Sequence, residues 1–289
     1  ENPWGLILFK RNIISLKQIK KLTHDIKKQT RDKKFPILID EEGSTVSRLS
    51  NIFNHNFDAN YFGKIYKENK NVALILYGNY LRKLCGNLKE LGININTIPV
   101  LDVLRKNTNK IIGKRSFSEK KEIVRDLGEF TIKRCYTEKI ITVIKHIPGH
   151  GCTNSDSHIT LPIVNLNKKI LNKIDFFPFK STSAKLAMCA HILYSNIDPQ
   201  NVSTFSKKIV KNIIRKKIGF NGILMSDDIS MKALKYDLIS NAKKALEAGC
   251  NLVLYCAGNI EDNFKLIKSI PYIDKFTSKK TSEIYKILR

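Results

Sequence analysis

The chain has 289 residues, 42% of them hydrophobic, enough to bury a large core, and one barrel domain of about 250 residues would use nearly all of it. Its apolar runs, such as Val72 to Tyr77, fall far short of the ~18 residues that suggest a membrane span, and its six cysteines are scattered without a CxxC pair, which points to reduced thiols rather than a disulfide framework. The net charge of +25 raises polyanion binding, but lysine outnumbers arginine about four to one and is spread through every predicted helix, without the clustered guanidinium forks that dominate phosphate and base recognition. One soluble domain spanning residues 1–289, with neither a nucleic-acid nor a membrane partner, is therefore expected.

Short apolar runs recur along the chain: Gly5–Phe9, Phe35–Asp40, Ile93–Ile98, Ile140–His146, Leu186–His191, Gly222–Asp227 and Leu252–Cys256. Each is continuous rather than alternating, the pattern of parallel strands buried on both faces. Between them lie stretches such as Ser15 to Thr30, where Leu16, Ile19, Leu22 and Ile26 carry helical spacing. A repeated β/α order leaves two architectures, a closed (β/α)8 TIM-type barrel and an open doubly wound sheet. Nearly every run ends in a chemically capable group: Asp40, Asp102 shortly after Ile98, Lys145 with His146, His191, and Asp227 with Asp228. Barrel strands bring all such groups to one mouth, whereas an open sheet uses mainly those at its switch point. No glycine-rich phosphate loop follows any strand. The barrel is the expected α/β fold. Its closure needs eight strands and seven are seen, so the first strand is expected to be missing from the chain as given.

The segment from Lys145 to His158, KHIPGHGCTNSDSH, concentrates the most chemistry. A buried strand delivers Lys145 and His146 to its end, and Pro148, Gly149 and Gly151 then allow a sharply bent loop. Asp156 and His158 stand two apart, a spacing that lets the carboxylate hold one imidazole nitrogen while the other faces a substrate. A metal site built from His146, His150, Asp156 and His158, in a metal-dependent barrel hydrolase, is the alternative. Asp227 ends a buried strand, so an ionised carboxylate there calls for attack on an electrophilic carbon or a salt bridge. Asp228 is expected to cap the helix that follows. Two further segments carry polar groups, Ile39-Asp40-Glu41-Glu42-Gly43 with Val46-Ser47-Arg48, and Gly113-Lys114-Arg115-Ser116-Phe117.

Together these segments resemble the β-N-acetylhexosaminidases of glycoside hydrolase family 3, specifically the bacterial cytoplasmic enzymes that remove N-acetylglucosamine from peptidoglycan turnover products. KHIPGHG-CTNSDSH, IDEEG-STVSRL, IPVLDV, IGKRSF, AHILYSNIDPQNVSTFS and GFNGILMSDDISM occur in that family's order. The resemblance implies that Asp227 is the nucleophile, His158 the general acid/base and Asp156 its orienting partner. It further implies that Asp40, Arg48, Arg115, Lys145 and His146 hold the terminal sugar. It implies a retaining exo-β-N-acetylglucosaminidase acting as a monomer on muropeptide sugars, with roles in cell-wall turnover, cell shape and division, and with no metal or organic cofactor. Ser44 stands where the family has a second glycine, a departure expected to strain the loop.

Overall fold

The computed structural model describes residues 3–54, 56–153 and 160–288. Its strands are β1 Leu6–Leu8, β2 Ile37–Ile39, β3 Ile95–Asn96, β4 Ile141–Ile147, β5 Ile163–Val164, β6 Leu186–Cys189, β7 Leu193–Tyr194, β8 Ile223–Asp228 and β9 Leu252–Leu254. The α-helices are α1 Leu16–Gln29, α2 Ala59–Glu68, α3 Lys70–Glu90, α4 Lys121–Thr137, α5 Lys168–Lys173, α6 Leu238–Ala248, α7 Ile260–Ser269 and α8 Lys275–Ile287, and Ile209–Ile218 forms a π-helix before β8. Polar caps start many of them: Ser15 accepts the Gln18 amide at α1, and Asp237 accepts the Ile239 and Ser240 amides at α6.

Seven strands form one wholly parallel sheet in the order β1-β2-β3-β4-β6-β8-β9, with β5 and β7 paired separately. All seven correspond to the apolar runs of the sequence. The order never reverses, so the sheet has no switch point and the doubly wound alternative falls away. Side chains of alternating parity explain how it curls. Leu38, Ile95, Ile141, Val143, Leu186, Met188, Ile223 and Met225 gather in one inner cluster, with Ile7 of β1 and Leu252 and Leu254 of β9 packed on it. Their neighbours Ile37, Ile39, Ile144, Ala187, Cys189 and Leu224 belong to the outer core beneath the helices. The two end strands thus share one interior, as in a barrel. No backbone ladder joins β1 to β9 among the described residues, and a closed eight-stranded barrel is not what they form.

The helix α8 sits under the N-terminal ends of the strands. Ile284 and Tyr285 pack on the inner cluster, Trp4 Nε1 donates to the Thr281 hydroxyl at 2.9 Å, and Tyr285 donates to Asp32 at 2.6 Å. The opposite, C-terminal ends carry the polar groups. No described helix is long and apolar enough to cross a membrane. All six cysteines are free; Cys152 and Cys256 are half-buried and the rest buried.

Candidate active site

Where β2 stops, the sequence places three carboxylates in a row, and each finds a different partner. Asp40 Oδ2 receives Arg48 Nη2 at 3.0 Å, while its Oδ1 receives Lys145 Nζ at 3.1 Å and the Thr97 hydroxyl. Glu41 turns inward, its Oε2 accepting the amides of Arg48 at 2.8 Å and Leu49 at 2.9 Å, which ties the loop after β2. Glu42 takes Arg115 side-on, Nε at 2.7 Å and Nη2 at 2.9 Å, and Lys145 Nζ at 2.5 Å. Lys145 therefore bridges Asp40 and Glu42, and Glu42 joins it to Arg115. Burial pushes both carboxyls up, but Lys145 and Arg48 outweigh it at Asp40, which is held well below the ordinary range. At Glu42, burial is overcome by Arg115 and Lys145, and its pKa falls to about 2. Ser44 does not adopt a positive φ, so the expected strain is not seen there, and its hydroxyl donates to Asp58 Oδ2 at 2.6 Å and its amide to the Phe57 carbonyl at 3.2 Å.

On β4 the register against β6 shifts between Lys145 and Ile147, and the Lys145–His146 peptide is cis. His146 Nδ1 lies 2.7 Å from Asp102 Oδ2. The other Asp102 oxygen accepts the His150 amide at 2.6 Å and the His146 amide at 3.3 Å. Burial raises the Asp102 pKa, yet His146 and the His150 amide more than compensate, leaving it below the ordinary value and ionised at neutral pH. His150 pairs through Nδ1 with the Thr153 hydroxyl at 2.8 Å, and burial, with His146 nearby, lowers it to about 4, so it is neutral at pH 7. Among the described residues no group of three His, Cys, Asp or Glu is placed to hold a metal, and Asp156 and His158 of the alternative metal set lie outside those residues.

The end of β8 carries Asp227, half-buried at the mouth. Its Oδ1 accepts the Asp228 amide at 2.8 Å. Burial raises its pKa, but His146, His191, that amide and Lys145 together bring it below the ordinary value. Among the described residues it has no salt-bridge partner of its own. His191, at the end of β6, bonds the Thr204 hydroxyl at 2.7 Å and donates from Nε2 to the Asp228 carbonyl at 3.0 Å. Burial lowers its pKa, against the raising effect of Asp227 and the Asp228 carbonyl. Asp228 does not cap a helix. Its Oδ1 accepts the Ser230 amide and hydroxyl and the Cys256 amide at 3.1 Å, fastening β9 to β8, and the next helix, α6, has Asp237 as its cap.

Asp40, Arg48, Arg115, Lys145, His146 and Asp227 therefore lie around one mouth. Asp156 and His158 lie outside the described residues. Reading the sequence missed Glu42, Thr97 and the pairing of Asp102 with His146. Asp102 was visible as a strand-terminal acid, and Glu42 stood in a run of three acids, but neither residue's partner is near it in sequence.

A singly wound α/β sheet with ionised carboxylates and cationic donors gathered at its strand C-termini is the layout of a barrel-type enzyme. The glycosyl hydrolase family 3 N-terminal domain matches residues 4–281, and the chain belongs to that family of glycoside hydrolases. It is 34% identical over 257 residues to the β-hexosaminidase of Nitrosomonas eutropha, covering 87% of this chain and 73% of that one. The crystal structure of NagZ from Neisseria gonorrhoeae in complex with N-trifluoroacetyl-D-glucosamine superposes with a TM-score of 0.86 at 29% identity, over 97% of this chain and 82% of that one. A family 3 β-N-acetylglucosaminidase from a Paenibacillus species gives 0.84 at 25% identity, and the present chain, 98% of it matched, spans 56% of that enzyme.

Proposed function

We propose that the protein is a retaining exo-β-N-acetylglucosaminidase that releases terminal, non-reducing β-linked N-acetylglucosamine from peptidoglycan turnover products. The observation that carries this reading is Asp227, an ionised carboxylate at the end of β8 that no described cation neutralises directly, set beside the cradle of Asp40, Arg48, Arg115, Lys145 and His146. Retaining glycosidases need a nucleophile below the anomeric carbon and a proton donor beside the leaving oxygen. Asp227 attacks that carbon and forms a covalent glycosyl-enzyme; His158 protonates the departing oxygen and then takes a proton from the attacking water, with Asp156 orienting its ring. Arg48, Arg115 and Lys145 donate to the sugar's hydroxyls and acetamide, and Asp40 accepts from a hydroxyl. No metal or organic cofactor enters these steps. The names of the relatives, β-hexosaminidase and β-N-acetylglucosaminidase, support the choice of sugar. A cytoplasmic monomer acting in cell-wall recycling completes the proposal.

Chromophore release from an aryl β-N-acetylglucosaminide tests it. The folded protein should release the aryl alcohol, with the β-anomer formed first by NMR, and an excess of chelator should leave the rate unchanged. No release, or a first-formed α-anomer, would overturn the assignment.

A further inference from the structure

Asp102 has no part in the catalytic scheme above, although its side chain is wholly buried among functional groups. A buried carboxylate with this many contacts is held for a reason. Both oxygens are used, one on a side chain and one on backbone. Oδ2 meets His146 Nδ1 at 2.7 Å, and Oδ1 meets the His150 amide at 2.6 Å. Those two residues flank the Ile147-Pro148-Gly149 turn that leads from β4 into the histidine-bearing loop.

Because an ionised carboxylate can only accept, Nδ1 of His146 must be the N–H. Whenever the ring is uncharged, its lone pair is then on Nε2, which has no hydrogen-bond partner among the described residues. His146 is nearly buried, and its ring packs edge-on to that of His150 at 5.6 Å. A ring free to choose its tautomer would present Nε2 as donor in some molecules and acceptor in others. We propose that Asp102 is a positioning residue for sugar binding: it fixes Nδ1 of His146 as the donor so that Nε2 accepts a substrate hydroxyl, and it holds the turn that aims this ring. The proposal rests on the glycosidase reading for the identity of the ligand, but the tautomer it assigns is a property of the free protein.

Two measurements test it separately from that reading. Long-range 1H–15N correlation of the histidine rings in the wild-type protein, with His146 assigned by comparison with His146→Ala, should show Nδ1 protonated and Nε2 bare at a pH where the ring is neutral. The reverse tautomer would overturn the proposal whatever the enzyme hydrolyses. Asp102→Asn offers an amide NH2 to Nδ1 and should convert the ring to the Nε2–H form. Its kcat/KM should fall on the order of 10- to 100-fold, the scale seen when the hydrogen-bond partner that orients a metal-ligating histidine is changed, mainly through KM. In the His146→Ala background the same change should cost under about 3-fold, because residues acting as a unit are not additive. Equal losses in both backgrounds, or an unaltered tautomer in a folded Asp102→Asn protein, would overturn the assignment. A wild-type protein inactive on the aryl glycoside would instead count against the proposed function and leave the tautomer result standing.

Discussion

Replacing Glu42 by Gln keeps the shape of the side chain and removes the charge that joins Arg115 to Lys145. The Glu42 side chain is only 6% exposed, so solvent screens little of the interaction. Its pKa in the folded protein is about 2, against an ordinary 4.5. At about 1.4 kcal/mol per pKa unit, that difference corresponds to roughly 3 kcal/mol of stability at neutral pH. Breaking one partner of a buried pair costs about 3–5 kcal/mol, in agreement. Because the folded pKa is depressed, the contribution is fully present above pH 4.5 and is lost as pH falls from there through about 2. The wild type should therefore exceed Glu42→Gln by roughly 3 kcal/mol at pH 7 and by roughly 1 kcal/mol at pH 3. Urea unfolding of both proteins at pH 7, 5, 4 and 3, followed by circular dichroism, measures the difference directly. A gap below about 1 kcal/mol at pH 7, or one that does not narrow with acid, would show that Arg115 and Lys145 are satisfied without Glu42 and refute the reasoning.

Asp227→Ala should abolish turnover for every leaving group, and burst kinetics with an activated aryl glycoside should show no covalent phase. Asp156→Ala and His158→Ala should each lose on the order of 10²–10⁴ in rate, less for good leaving groups, with the double variant little worse than the worse single; additive losses would separate the two residues. Raising salt from low to physiological strength should change kcat/KM for a neutral substrate less than tenfold, since screening acts most on exposed charges, and a larger fall would show that the +25 surface assists catalysis. Gly63→Ala would put a methyl inside contact distance of the Phe117 carbonyl, where α2 packs on the segment carrying Arg115, and should lower stability by about 1–3 kcal/mol. A melting temperature equal to that of wild type would mean that α2 can withdraw.

The seven strands were legible because continuous apolar runs such as Ile140–His146 and Leu252–Cys256 state their own period, and burial on both faces follows from it. The convergence of Asp40, Lys145, His146 and Asp227 was legible for a related reason: in a singly wound parallel sheet every strand's C-terminus points the same way, so strand-terminal polar groups meet without any contact being known. Pairings were not legible. Asp102 lies 44 residues from His146 and Glu42 lies 73 from Arg115, and nothing local distinguishes those carboxylates from Asp228, which ties β9 to β8 where a helix cap was expected. The join between the first and last strands lay beyond the sequence as well, since each strand's pattern specifies what it buries but not which edge it meets. Hydrophobic period is a local property of the chain, whereas hydrogen-bond partners and sheet edges are set by where distant segments come to rest.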